Sequence, residues 1–274
     1  MLGNEKILAI VPAYNPDQQE LTASLNSLLR QTYKIDILII DDGSMKPVSL
    51  QGQLNPTINI LRLENNAGIT KALITGVNWG LANNYDYFCR LDSGDIAYPN
   101  RVERQLEYMR AHQEIDLLGC RARVFDLEGN YLFNHGIAGG SKEIKRYLFK
   151  NSPFKHSTFF VRSSAFRLFG NYDTVFDSVE DYELIFRFSK LGMVACMPDV
   201  LIDYVDNPSG ISRSKRTKQL QTRLRCQLKY GDSLEASFYG GVLRTLGLLV
   251  MPNLFARWLS KWHWNKFGAL GKSQ

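Results

Sequence analysis

The stretch Arg90-Leu91-Asp92-Ser93-Gly94-Asp95 closes an apolar run that begins at Tyr85, and Pro99 follows it. We therefore predict that Asp92 and Asp95 lie where a β-strand ends. In open α/β sheets, ligands bind at the carboxyl ends of the strands. Two acids in such a place either ligate a divalent cation, for which Mg²⁺ and Mn²⁺ are suited, or form turns with their own backbone.

Three earlier apolar runs resemble the one that ends at Leu91. They occupy residues 7–11, 35–40 and 58–63, and the first is rich in β-branched side chains, as is typical of a strand buried on both faces. Leucines at helical spacing follow the first run, and a second helical pattern begins at Ile69. This alternation predicts an α/β fold with a mostly parallel central sheet, right-handed crossovers and helices on both faces.

Each predicted strand ends in polar or turn-forming residues. These are Tyr14-Asn15 after the first strand, Asp41-Asp42 after the second, Asn65-Asn66 after the third and Asp92 to Asp95 after the fourth. Since the carboxyl ends of parallel strands meet at one edge, the four exits predict a crevice of nucleotide size.

The second half of the chain predicts further strands, including a hairpin around Glu128-Gly129, and a helix that begins near Glu180-Asp181. The last strand is expected to end near Val205. We therefore divide the chain into one domain at residues 1–205 and a basic helical tail at residues 206–274.

The composition, the cysteine spacing and the loop after the first strand exclude several classes of protein. A hydrophobic fraction of 45% and a charged fraction of 22% are those of a folded globular protein. The four cysteines are scattered without metal-ligand spacing, and no signal peptide is evident, so we expect a cytoplasmic protein. Nicotinamide-dependent dehydrogenases are excluded because Pro12-Ala13-Tyr14-Asn15, and no glycine-rich loop, follows the first strand.

The net charge of +6 is concentrated in the tail, where residues 207–231 contain seven basic residues and no acid. No nucleic-acid recognition motif accompanies this charge, so nucleic acid is not an expected partner. Farther on, basic residues alternate with Trp258, Trp262, Trp264 and Phe267. Such a segment either lies on an anionic membrane leaflet or packs as a helix on the domain.

Taken together, five motifs resemble the family 2 glycosyltransferases. They are Val11-Pro12-Ala13-Tyr14-Asn15, Ile39-Ile40-Asp41-Asp42-Gly43-Ser44, the stretch from Asn66 to Leu73, the stretch from Arg90 to Asp95, and Glu180-Asp181. The resemblance implies the GT-A fold, a nucleotide-diphospho-sugar donor and an inverting transfer to a hydroxyl group.

The resemblance also implies roles for single residues. Pro12, Ala13 and Tyr14 would line the nucleobase pocket, and Asn15 and Asn66 would border it. Asp41 would accept a hydrogen bond from the base, and Lys71 would lie near the base or the diphosphate. Asp92 would stand near the ribose and the metal, and Asp181 would be the general base.

Several of these residues have a second interpretation. Asp181 could cap the predicted helix, and Asp41 and Asp42 could shape their own turn. Arg90 is either a crevice cation for the diphosphate or a charge partner of Asp92. His156, within an aromatic segment, is either structural or a contact to acceptor or phosphate.

The sequence departs from the family pattern at the metal. Most members of the family have the motif Asp-x-Asp-Asp at this place. This chain has Asp92-Ser93-Gly94-Asp95, so Gly94 occupies the position of the aspartate that usually ligates the metal. A Mn²⁺ or Mg²⁺ ion would therefore be held by Asp92 with Asp95, or by Asp92 and phosphates alone, or the enzyme would work without one.

We predict a glycosyltransferase of bacterial type that acts at the inner face of the cytoplasmic membrane. Its acceptor would be a glycan or lipid-linked glycan of a surface polysaccharide such as O-antigen or capsule. The alternative is a non-catalytic relative that binds a sugar nucleotide without transferring the sugar.

Overall fold

A computed structural model describes residues 5–50, 57–207, 216–232 and 234–251 of the chain. Nine strands of the described residues form one sheet. They are β1 (Ile7–Ala13), β2 (Asp36–Asp41), β3 (Ile58–Arg62), β4 (Tyr87–Arg90), β5 (Ile96–Ala97), β6 (Leu117–Phe125), β7 (Tyr131–His135), β8 (Phe160–Arg162) and β9 (Val194–Val205).

Eight α-helices in the described ranges surround this sheet. They are α1 (Gln18–Leu29), α2 (Ile69–Ala82), α3 (Arg101–Ala111), α4 (Ser141–Leu148), α5 (Ser163–Phe169), α6 (Glu180–Leu191), α7 (Arg216–Tyr230) and α8 (Ala236–Val250). Two short 3-10 helices, His156–Thr158 and Thr174–Phe176, precede β8 and α6.

The strand order is β3-β2-β1-β4-β8-β6-β9-β5, and β7 pairs with the outer part of β6. Strands β1 to β4 are parallel, as predicted from the alternating pattern. Beyond β4 the sheet is mixed, because β8 runs antiparallel to both β4 and β6, whereas β6 and β9 are parallel. The α/β class is thus confirmed, and the antiparallel strands of the second half add to the predicted parallel arrangement.

Helices cover both faces of the sheet because the strands bury alternate side chains on each. Leu8 and Ile10 of β1 belong to a core with α2, α5 and α6, whereas Ile7, Ala9 and Val11 belong to a second core with α1 and α3. A strand buried on both faces reads as a continuous apolar run. This is the pattern that residues 7–11 show.

The described part of the tail packs on the domain. Cys226 of α7 is fully buried, the Tyr230 hydroxyl donates to Glu183 Oε1 of α6 (2.6 Å), and Gln227 Nε2 donates to the Tyr182 hydroxyl (3.3 Å). Residues Trp258, Trp262, Trp264 and Phe267 lie outside the described residues, and the boundary at residue 205 stays a prediction. None of the helices in the described ranges combines the length and the apolar character that a bilayer span needs.

A single carboxylate connects three distant segments. Asp177, in the loop before α6, accepts from Thr70 Oγ1 at the start of α2 (3.2 Å) and from Lys218 Nζ of α7 (2.8 Å). The start of α2, the α6 loop and the tail are therefore held at fixed positions relative to one another.

Candidate active site

The carboxyl ends of β1, β2 and β4 lie side by side. Ala13 pairs with Asp41 across β1 and β2, and Ile10 pairs with Arg90 across β1 and β4. Because neighbouring strands are about 4.8 Å apart, β2 and β4, which flank β1, run about 10 Å apart across the sheet. The predicted strand exits therefore share one edge of the sheet.

Asp41 and Asp42 organise the loops at this edge. Asp41 is buried, and it accepts from the backbone N–H groups of Ser44 (2.9 Å) and Val48 (3.1 Å) and from Arg62 Nη1 (2.7 Å). Asp42 accepts from the N–H groups at positions 67 (2.8 Å) and 68 (2.9 Å), just before α2. Both aspartates shape loops, and the contact of Asp41 with a nucleobase stays a prediction.

The loops after β2 and β3 touch closely. Gly43 has φ +68°, and a β-carbon there would lie 2.5 Å from the backbone carbonyl carbon of Asn65. Only glycine meets both conditions without strain. The close contact fixes the position of the neighbouring Asn66.

Four of the predicted donor-binding residues surround these loops with their side chains accessible. Tyr14 is 51% exposed, and Asn15 and Asn66 are exposed beside it. Lys71 is exposed on the first turn of α2 and makes no ion pair with any described residue. Pro12 and Ala13 lie at the end of β1, where Pro12 is half-buried and Ala13 is buried in the core with α1 and α3.

Arg90 lies at the centre of the second half of the site. Its guanidinium is 4% exposed and donates from Nε (3.0 Å) and Nη2 (2.6 Å) to Asp92 Oδ1. Its Nη1 contacts the Nδ1 atom of His156, whose Nε2 lies 2.8 Å from the Tyr172 hydroxyl. Burial and the charge of Arg90 lower the pKa of His156 well below its usual range, so the ring is neutral and accepts from Arg90.

Glu180 and Asp181 open α6 beside Arg90. The N-cap of this helix is Val179, so Asp181 is not the cap, and its Oδ1 accepts from the N–H of Tyr182 (2.7 Å). Burial raises the pKa of Asp181, while this hydrogen bond and the charges of Arg90 and Lys155 lower it. Burial, with the charge of Asp181 adding, raises the pKa of Glu180 to about 7. Carboxylates with raised pKa values in a crevice are candidates for proton transfer.

The raised pKa of Glu180 predicts a stability effect. Between the ordinary value of 4.5 and about 7, the folded protein holds a proton that the unfolded chain has lost, so the free energy of unfolding falls as the pH rises through this window. Glu180→Gln should therefore raise the melting temperature at pH 8, with the gain vanishing towards pH 4.5.

Melting curves across this pH range test the effect. Glu64→Gln is the matched control, since Glu64 is exposed. If both variants follow the wild-type pH dependence, the burial of a charge at Glu180 is refuted.

Asp92 and Asp95 differ in what they offer a metal. Asp92 is half-buried, and its Oδ2 has no hydrogen-bond partner among the described residues. Asp95 is buried, and its oxygens accept from the N–H of Val205 (3.2 Å) and from the Ser157 hydroxyl. Burial, with the charge of Asp92 adding, raises the pKa of Asp95 to about 7.

These residues fit one kind of metal site. Within the ranges described, no group of three or more acidic, histidine or cysteine side chains could enclose a metal. Gly94 has φ +96°, and a β-carbon there would lie 3.5 Å from Glu20 Oε2. A cation shared between Asp92 and donor phosphates fits this arrangement, since Mg²⁺ often binds through one carboxylate plus substrate phosphates. Ligation by Asp95 stays a prediction.

Two polar side chains that act on the candidate site, Lys155 and Tyr172, were not identified from the sequence. Lys155 Nζ lies 4.0 Å from the centre of the Tyr204 ring, and its charge acts on both Asp95 and Asp181. Tyr172 reaches Arg90 through His156. The polar segment at residues 155–158 was a signal for a site, but only the pairing of β8 with β4 shows which strand exit it faces.

Comparisons with known proteins define the class. The chain matches the Glycosyl transferase family 2 profile over residues 8–169. It is 31% identical over 255 residues to the amylovoran biosynthesis glycosyltransferase AmsE of Erwinia amylovora, covering 88% of this chain and 93% of that protein. An uncharacterized glycosyltransferase of Haemophilus influenzae is 29% identical over 230 residues, covering 81% and 84% of the two chains.

Solved structures show the same architecture. The crystal structure of S. aureus TarS 1-349 in complex with UDP-GlcNAc superposes with a TM-score of 0.64 at 15% identity, covering 98% of this chain and 76% of that one. The complex of the same protein with UDP gives a TM-score of 0.63 at 16% identity, with coverage of 88% and 70%. At this level of identity, the likeness shows the fold alone.

The described residues have the GT-A fold, which the TarS structures share. The chain belongs to glycosyl transferase family 2. Its membership confirms the predicted enzyme class, a glycosyltransferase, and does not favour the alternative of a relative without catalytic activity.

Proposed function

We propose that this chain is an inverting glycosyltransferase that moves a sugar from a nucleotide-diphospho-sugar to a hydroxyl of a glycan or lipid-linked glycan. The role in surface-polysaccharide assembly, of the O-antigen or capsule kind, is supported by the name of the relative from Erwinia amylovora, an amylovoran biosynthesis enzyme. The donor class is supported by the TarS structures, which contain UDP and UDP-GlcNAc.

One observation carries the proposal. Asp181, a carboxylate with a raised pKa, lies at the start of α6 within the electrostatic influence of Arg90, and Arg90 binds Asp92 at the exit of β4. In this proposal Asp181 is the general base and Asp92 is the donor-side carboxylate, and the charge of Arg90 acts on Asp181 while its side chain binds Asp92. Inverting transfer needs the base and the donor-side carboxylate on either side of one sugar, because the acceptor attacks the face of the sugar opposite the leaving group.

The reaction follows from these positions. Asp181 removes the proton of the acceptor hydroxyl as its oxygen bonds to the anomeric carbon, and the bond from that carbon to the diphosphate oxygen breaks. The electron pair of the broken bond leaves with the nucleoside diphosphate. Lys71 and Lys155 supply positive charge near the crevice, which stabilises the charge that develops on the leaving group.

The donor nucleotide occupies the exits of β1 to β3 in this proposal. The exposed ring of Tyr14 offers a surface on which a base can stack, and Pro12, Ala13, Asn15 and Asn66 would border the base. Asp92 would hold a Mn²⁺ or Mg²⁺ ion together with the diphosphate. When bound, the ion neutralises phosphate charge.

The proposed acceptor suggests where in the cell the enzyme works. A lipid-linked glycan is confined to a bilayer, so we propose that the enzyme works as a peripheral protein at the cytoplasmic face of the membrane. The basic tail supports this proposal through its charge, since cations are attracted to anionic leaflets.

A donor panel tests the function. We expect one nucleotide class among UDP-, GDP- and dTDP-sugars to bind in calorimetry, and Mn²⁺ to tighten binding by about tenfold or more, the effect of one good charge interaction. A radiolabelled donor should then yield transfer to a glycan acceptor, or slow hydrolysis without one. Binding with neither reaction would identify a non-catalytic relative, and no binding by any donor would refute the proposed pocket.

A further inference from the structure

A cleft of about 760 Å³ lies between α4 and α8, and none of the residues that line it belongs to the candidate active site. Five basic side chains line it: Lys142, Lys145, Arg146, Lys150 and Arg244. Its one acid, Glu235, accepts from the Ser237 hydroxyl (3.0 Å). None of the five cations forms an ion pair with another described residue.

An apolar stripe runs along α8 beside this cleft. Tyr239, Leu243, Leu246 and Val250 are 55%, 68%, 43% and 85% exposed. Their spacing of four, three and four residues places them on one face of the helix. The opposite face, with Gly241 and Thr245, is buried against the domain.

The cleft and the stripe adjoin each other. Gly240 and Arg244 of α8 line the cleft and follow Tyr239 and Leu243 of the stripe by one residue each. Burial and the charge of Arg223 lower the pKa of Arg244, which reflects a positive charge without a nearby counter-charge. Cations therefore flank an exposed apolar ridge.

We propose that the α4–α8 surface docks on the anionic leaflet of a lipid bilayer. The stripe would enter the region between headgroups and acyl chains, and the five cations would bind lipid phosphates. A soluble anion would use the cations but leave the stripe in water, so the combination favours a membrane over a free phosphate compound. This inference rests on the proposed function at the membrane and names the surface that would serve it.

The surface is coupled to the active site through packing. The Tyr182 hydroxyl of α6, next to Asp181, donates to the carbonyl of Leu148 in α4 (2.5 Å). Phe149, which lines the cleft, packs edge-on against Phe186 of α6 and against Phe238 of α8. Docking would therefore hold the catalytic helix at a fixed height above the bilayer.

Vesicle binding by the full chain tests the charge part of the surface. The wild type should bind vesicles that contain phosphatidylglycerol, weakly bind pure phosphatidylcholine vesicles, and dissociate as salt rises. Each cation near an anionic leaflet contributes about fivefold to partitioning, so Lys142→Glu/Lys145→Glu should weaken binding by about 30-fold or more. The control Lys34→Glu/Lys46→Glu has the same charge change on the β2 side of the sheet and should lose less than about threefold.

A second pair of variants tests the stripe. Leu243→Gln should weaken binding to the anionic vesicles by about tenfold, the value of one buried leucine at the lower end of its range. Leu168→Gln, at 74% exposure on α5, is the matched control and should bind as the wild type does. Both leucines are exposed, so neither change should unfold the protein.

Three results would overturn the proposal. The first is equal binding of the wild type to neutral and anionic vesicles, and the second is an equal loss of binding in the two charge variants. The third is that Leu243→Gln binds anionic vesicles as well as the wild type does, while inorganic polyphosphate binds the protein as tightly as the vesicles do. The last result would assign the cleft to a soluble polyanion. Asp181→Asn should bind vesicles normally, so a failed surface and a failed glycosyl transfer are told apart by vesicle binding and by turnover with a soluble acceptor.

Discussion

Asp181→Asn should lower turnover by at least about a hundredfold while leaving donor affinity within about twofold of the wild type, because a positioned general base contributes about 10² to 10⁴ in rate. An amide keeps the size of the side chain and its position at the start of α6, but it cannot accept the acceptor proton. Turnover is measured with labelled donor, and donor affinity by calorimetry.

The assignment of Asp181 as the general base also predicts how the rate of transfer depends on pH. Transfer should fall as the pH drops through the pKa of Asp181, which burial raises above the ordinary value of 3.8, because the protonated acid is no longer a base. The control Asp199→Asn removes a charge that pairs with Arg104 (3.0 Å) at the surface, and it should keep wild-type turnover. A variant at Asp181 that retains most of its activity would exclude it as the base.

Arg90→Met should lower the free energy of unfolding by about 1.5–3 kcal/mol, the usual range for a hydrogen bond to a charged group, because Asp92 is 35% exposed and stays partly hydrated when Arg90 is lost. Arg90 is buried and binds both Asp92 and His156, so its loss leaves a carboxylate and a neutral ring without their shared donor. Urea unfolding curves measure the change, and transfer activity should be lost with it.

Two further substitutions test whether the loss of stability comes from the buried polar contacts of Arg90. Arg90→Lys keeps the charge but lacks the fork of donors, so it should recover part of the stability and little of the activity. Arg104→Met removes an exposed ion pair and should cost less than about 1 kcal/mol. If Arg90→Met proves as mild as Arg104→Met, then Arg90 is not the centre of the polar cluster.

The first half of the fold follows from sequence because its signals are local. Each of β1 to β4 is a short apolar run that ends in polar residues, and Leu21, Leu25 and Leu28 mark α1 by their spacing. Right-handed connections between parallel strands leave few topologies, and in each of them the carboxyl ends of the strands share one edge. The shared edge of the strand exits was therefore predictable before any coordinates.

The second half could not be predicted in this detail. β8 has three residues, and it lies between β4 and β6 through pairings with partners many residues away in the chain. No periodicity records such pairings, although they bring His156 to Arg90. The sequence left Arg90 and His156 with two interpretations each, and the contact between them became visible only through the sheet.

Asp177 has a practical consequence for protein engineering. Because this carboxylate joins Thr70 and Lys218 to the loop that precedes α6, and Cys226 fills the core from α7, helix α7 supports the catalytic unit. Chimaeras that exchange this helix between enzymes should carry the loop partners with it. A graft cut at residue 205 would expose apolar surface and leave the loop unsupported.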